Sequence, residues 1–136
     1  MRTFLYTMFA LSAILQHFAG YAQQTTSDKI EGIWKGTSLC QVKPSACHDE
    51  NVVYHISKKS ANVYTIQANK IVNGAEEDMG TFNSVVYDET KQTLTFTMND
   101  RQQRSNVWLF KLDGMQMHGT LTQETTLFRI VELKKS

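Results

Sequence analysis

The sequence has few of the residues that staple or break a small fold, and no arrangement of side chains that announces catalysis. Only two cysteines and one proline occur in 136 residues. Neither charge dominates, with 14 Lys and Arg against 13 Asp and Glu. No basic stripe interleaved with aromatics is present, which argues against a nucleic-acid groove. No window of a dozen residues keeps a helical stripe, and no repeat, low-complexity stretch or linker divides the chain. The one long apolar run, Phe4 to Leu15, falls short of the ~20 residues that a spanning helix needs.

That run follows a cationic start at Arg2 and precedes the small-x-small end Gly20-Tyr21-Ala22, the pattern of a cleaved secretory signal. We expect residues 1–22 to be that signal, with a secreted or periplasmic product; an uncleaved membrane anchor is the rival reading. No cysteine lies near the cleavage site to take a lipid. The remainder, 23–136, is long enough for one domain with one core and too short for two. With Arg2 removed, its cations and anions balance.

The cysteines stand in the segment Leu39-Cys40-Gln41-Val42-Lys43-Pro44-Ser45-Ala46-Cys47. In an oxidising compartment this spacing reads as a local disulfide, worth about 2–3 kcal/mol if unstrained. A metal pair completed by His48, or a redox couple, is the alternative, but the spacing is wide for a Cys-x-x-Cys site.

The periodicity is that of strands. Leu94, Phe96 and Met98 alternate with Thr93, Thr95 and Thr97, and the same rhythm runs through Val52-Tyr54-Ile56, Tyr64-Ile66-Ala68 and Trp108-Phe110-Leu112. Turn formers separate these runs, notably Asn73-Gly74 and Asp113-Gly114, which favour tight hairpins. Strands are expected near 30–39, 51–57, 61–71, 78–87, 92–98, 105–112, 115–122 and 126–134. Short connections make successive strands antiparallel neighbours. The fold class that follows is all-β, an antiparallel up-and-down barrel of about eight strands, since closure removes the exposed edges. A two-sheet sandwich is the runner-up.

The triplet Gly32-Ile33-Trp34, the meander of hairpins, and a last strand reading Leu127-Phe128-Arg129-Ile130-Val131-Glu132-Leu133 resemble the lipocalin and fatty-acid-binding superfamily, the calycins. The chain is similar to small lipocalin-like bacterial proteins. It is shorter than a typical lipocalin, lacks the family's loop motifs and ends without a clear C-terminal helix. The resemblance implies that Trp34 plugs the closed end of the barrel and that Arg129 lies across its ring. A guanidinium on an indole is a favourable cation–π contact, about 1–2 kcal/mol when shielded from water. Gly32 and Gly36 share the face of Trp34 and leave room for its ring. The alternative is that Arg129 anchors a ligand carboxylate inside the lumen.

Nine aromatics remain after residue 22. Trp34, Tyr54, Tyr64, Phe82, Phe96, Trp108, Phe110 and Phe128 are candidates to point inward, with Met98, Met115 and Met117 as fillers. Two readings stay open: a packed core, or an apolar pocket in which Tyr54 and Tyr64 orient an amphipathic guest. The candidate ligand-binding set is Tyr54, Tyr64, Phe96, Trp108, Phe110, Met117 and Arg129. His48-Asp49-Glu50 puts an imidazole beside two carboxylates, but adjacent residues rarely aim at one point. In a strand, His118 faces away from Met115 and Met117, and His55 faces away from Tyr54, so no metal or other cofactor is implied. Val107 and Leu109 are apolar on the face opposite Trp108, which suits a weak homodimer contact or cover by the leader segment. The expected function is binding of a small apolar or amphipathic molecule without chemistry on it. A protein-interaction or inhibitory module with a filled barrel is the alternative, and an enzyme comes third.

Overall fold

A computed structural model describes residues 28–43 and 46–136. The expected signal, 1–22, and most of the polar leader after it lie outside the described residues.

Eight strands run in chain order: β1 (Gly32–Cys40), β2 (Glu50–Ser60), β3 (Val63–Val72), β4 (Ala75–Asp88), β5 (Thr93–Asn99), β6 (Ser105–Asp113), β7 (Gln116–Gln123) and β8 (Thr126–Lys135). Each pairs antiparallel with the next, and β8 pairs with β1 to close the barrel. Asn73 and Gly74 take φ of 52° and 79°, the two positive values a type I′ hairpin requires. Gly114, at φ 59°, turns β6 into β7. Gln92, Gln103 and Glu124 also adopt positive φ, a conformation that residue type does not signal there.

Alternation decides what lies inside. Trp34, Tyr54, Ile66, Val85, Leu94, Phe110, Met117 and Val131 are buried, and each such side chain stabilises the fold by about 1.5–3 kcal/mol relative to exposure. Two glycines permit this packing. A Cβ on Gly36 would lie 1.7 Å from the Glu132 carbonyl oxygen, so Gly36 allows close contact of β1 with β8. Its role is therefore backbone approach to β8, where the sequence suggested room for the Trp34 ring. A Cβ on Gly119 would lie 2.4 Å from Cδ1 of Phe110, its cross-strand partner.

The two ends of the barrel differ. At the end where β1 begins, Trp34 is fully buried and its Nε1 donates to the Ile30 carbonyl at 2.8 Å. Lys135 Nζ sits 5.7 Å from the Trp34 ring centre and donates to the Asp28 and Lys29 carbonyls at 3.1 and 2.9 Å. Lys135 thus occupies the place expected for Arg129. The cause is register: Trp34 pairs with Lys135, whereas Arg129 pairs with Cys40. Six residues along an extended strand put Arg129 about 20 Å away.

The wall is uneven. β3 and β4 pair along nearly their whole length, but β4 and β5 share only three pairs, Val86↔Thr95, Tyr87↔Leu94 and Asp88↔Thr93. Beyond Val86 and Thr95 the ladder between these strands stops.

Candidate functional site

The site lies in the half of the barrel opposite Trp34. A cavity of about 340 Å³ opens there, lined by Tyr54, Ala68, Phe82, Trp108 and Leu121 on its walls and by Met79 and Met98 toward the unladdered side. Ser38, Glu50, Asp100, Asn106 and Arg129 complete it. A larger depression, about 670 Å³, lies outside the opposite end around Asp28, Lys58, Tyr64 and Tyr87. The Asp28 carboxylate there is already occupied, accepting from Lys58 Nζ at 2.9 Å and the Tyr64 hydroxyl at 2.8 Å. The smaller cavity is the one continuous with the barrel interior.

Its floor is aromatic. Phe110 is fully buried, with Trp108 stacked on it at 5.8 Å and an interplanar angle of 4°. Tyr54 meets Phe110 edge-on at 6.1 Å. Phe82 tilts against Trp108 at 5.7 Å and stacks on Phe96 at 4.9 Å. These residues reach one place because Trp108 pairs with Phe96 and with Leu121, setting three inward faces side by side.

Two polar groups overlook this floor. Tyr54 is 1% exposed; burial pushes its hydroxyl above the ordinary phenol range, and the positive charge of Arg129 nearby pulls the other way. Among the described residues the Tyr54 hydroxyl has no hydrogen-bond partner. Arg129 donates through Nη1 to the Ser38 carbonyl (3.4 Å), Ser38 Oγ (3.2 Å) and the His48 carbonyl (3.1 Å). Its other N–H donors are unspent among the described residues, and no carboxylate is paired with it there. A guanidinium carries five N–H groups in a planar fork, so donors remain for an anion.

The disulfide stands at this end of the barrel, where Cys40 pairs with Arg129. Cys40 and Cys47 are joined in a disulfide with Cα atoms 5.9 Å apart. Asp49 Oδ1 accepts from the Cys40 amide at 2.8 Å. The three residues His48, Asp49 and Glu50 diverge accordingly: His48 is exposed and offers its carbonyl to Arg129, Asp49 caps Cys40, and Glu50 sits on the cavity rim.

Of the seven candidate ligand residues, Tyr54, Trp108 and Arg129 line the cavity. Phe96 and Phe110 support it through ring contacts with Phe82 and Trp108. Tyr64 does not reach it: its hydroxyl is committed to Asp28 at the far end. Met117 also belongs to the filled half, buried with Leu112 and Leu133. Met115 lies in the β6–β7 turn and is 56% exposed, so it fills nothing. Phe128, half-buried, sits at a β7–β8 register shift with no place in the cavity lining. His55 and His118 lie on the outside, paired with Glu76 at 2.6 Å and Glu132 at 2.5 Å.

Sequence reasoning missed Ser38, Glu50, Met79, Asp100 and Asn106. Ser38 and Asn106 carried a usable signal, sharing strand faces with Trp34 and Trp108. Asn106 is nevertheless a polar residue at an inward position, bonded to the Arg104 carbonyl at 3.0 Å.

No family model matches the chain, and no curated protein does. Among solved structures, a mutant of the fluorescent protein UnaG is similar, with a TM-score of 0.55 at 12% identity over 79% of this chain and 96% of that one. The siderocalin Ex-FABP aligns over 80% of this chain and 71% of its own at 10% identity, with a TM-score of 0.37, too low to carry an argument. The likeness is one of fold alone, a closed antiparallel barrel, which here has eight strands.

Proposed function

We propose that the protein binds a small amphipathic molecule with an anionic head, and does no chemistry on it. The apolar part rests on Trp108, Phe82 and Leu121, while the head takes hydrogen bonds from Arg129 and the Tyr54 hydroxyl. One observation carries this reading: the Tyr54 side chain and a guanidinium with unspent donors among the described residues line the same aromatic-floored cavity. Polar groups so placed lose the hydration they have in water, and a bound anion restores what was lost. Export to the periplasm or the medium belongs to the same proposal, since the Cys40–Cys47 disulfide persists best in an oxidising compartment.

Extraction of purified protein followed by mass spectrometry should yield a co-purifying acid, and the anionic fluorophore 8-anilinonaphthalene-1-sulfonate should bind at one site. Arg129→Gln should weaken that binding by about 10-fold or more. A protein that yields no extract and ignores the fluorophore is not a carrier.

One observation favours the second reading, an interaction module. Leu39, Ile130, Thr120, Leu109, Thr95 and Val86 form a continuous cross-strand row on the outer face, free of charge. Leu109 and Val86 are 43% and 47% exposed. Sedimentation showing a dimer that Leu109→Lys disperses would support it.

A further inference from the structure

The cavity has two boundaries through which a guest could pass, and they differ in chemistry. The barrel end is crossed by polar ties. Gln123 Nε2 donates to Asp100 Oδ2 at 3.3 Å and Asn106 Oδ1 at 3.1 Å, and Arg104 Nε donates to Asp100 at 2.7 Å. Arg129 spans from Ser38 to the His48 carbonyl on the other side of the same opening. An apolar group crossing there must separate hydrogen-bonded partners and leave them facing hydrocarbon.

The side wall between β4 and β5 is different. Its backbone ladder ends at Val86↔Thr95, although β4 extends back to Ala75 and β5 runs on to Asn99. On their other flanks both strands are paired, β4 with β3 and β5 with β6 through all seven residues. What spans the unladdered stretch is side chain: Phe82 of β4 stacks on Phe96 of β5 at 4.9 Å. Met79 and Met98 flank this pair, line the cavity and are 44% and 42% exposed. Both methionines are unbranched and change rotamer readily, and an aromatic pair is a weak clasp compared with a run of ladder hydrogen bonds.

We infer that the guest's apolar part enters and leaves sideways, through the seam between β4 and β5, with the Phe82–Phe96 stack as the gate. The inference rests on the carrier reading above and adds a route to it. Parting the stack breaks no backbone ladder bond, since none spans this stretch, so an apolar tail passes without separating hydrogen-bonded partners as it would at the barrel end. Arg129, at the barrel end, then holds the head while the tail moves beneath it.

The test uses the full chain with Met79→Cys and Met98→Cys together, bridged on the folded protein by a short bis-maleimide. Cys40 and Cys47, held in their disulfide, do not react. Stopped-flow fluorescence with 8-anilinonaphthalene-1-sulfonate gives both rate constants. Relative to the same double-cysteine chain left unbridged, bridging should slow association and dissociation together by at least about 10-fold. In the unbridged chain, Phe96→Ala should raise both rates by several-fold. Rates unmoved by the bridge and by Phe96→Ala would overturn the route, as would acceleration of both rates by Gln123→Ala, which loosens the end network instead. If the wild-type protein binds no fluorophore, the carrier reading itself falls, an outcome separate from normal binding with an indifferent bridge.

Discussion

The Lys135 ammonium sits 5.7 Å from the centre of the Trp34 ring, and the two residues are direct partners across β1 and β8. The same ammonium ties down the Asp28 and Lys29 carbonyls. One side chain thus joins the last strand, the first strand and the segment that enters it.

Removing the ring should be severe. Trp34→Ala empties the best-buried position of the closed end and should destabilise the fold by about 3–5 kcal/mol, read from urea unfolding. A loss below about 1 kcal/mol would show that Trp34 is not a plug.

The two cations should separate by readout. Lys135→Met should lower stability by about 1–2 kcal/mol, from the lost cation–π contact and carbonyl bonds, with ligand affinity unchanged. Arg129→Met should do the reverse, weakening fluorophore binding with a smaller stability loss. Equal effects of both on binding would remove Arg129 from the site.

Asp28 gives the acid limb of stability. Partial burial pushes its carboxyl up, but donors from Lys58, the Ile30 and Glu31 amides and Tyr64 outweigh this and hold it down at about 2, against 3.8 for a free side chain. A depressed folded-state pKa means the unfolded chain binds the proton more readily. The contribution is therefore present above pH 3.8 and is lost as pH falls toward 2. Thermal unfolding of Asp28→Asn should show a shallower fall across that window than the wild type. Identical slopes would contradict the assignment.

Gly119 should tolerate no side chain. Gly119→Ala drives a Cβ into the Phe110 ring and should cost about 1–3 kcal/mol by chemical denaturation. Because Trp108 stacks on Phe110, fluorophore affinity should fall as well. An alanine variant with native stability would mean the ring moves freely.

The disulfide makes a simple analytical prediction. Intact mass should be two hydrogens below that of the reduced chain, with the link mapped between Cys40 and Cys47. Reduction should lower stability by about 2–3 kcal/mol.

Much of the wall was legible. The Thr93-to-Met98 alternation placed β5 within a residue, and the Asn73-Gly74 pair marked the β3–β4 turn, because strand faces and tight turns are local consequences of residue type. β4 nevertheless begins at Ala75, three residues before its expected start. The site was legible only in part. Tyr54 and Trp108 were expected inward and do line the cavity, while Tyr64, on an equally inward face, is spent on Asp28 at the far end. Alternation gives the face of a residue but not its height along the barrel.

That distinction divides the molecule. The sequence by itself determined the number of strands, their order and most of the inward faces, Met115 and Phe128 excepted, since period-two patterning and short turns act between near neighbours. Only the tertiary structure decided that Lys135 rather than Arg129 covers Trp34, and that β4 and β5 part beside the cavity. Both depend on how far one strand slides against another as the barrel closes, a relation between residues remote in the chain that no local pattern encodes.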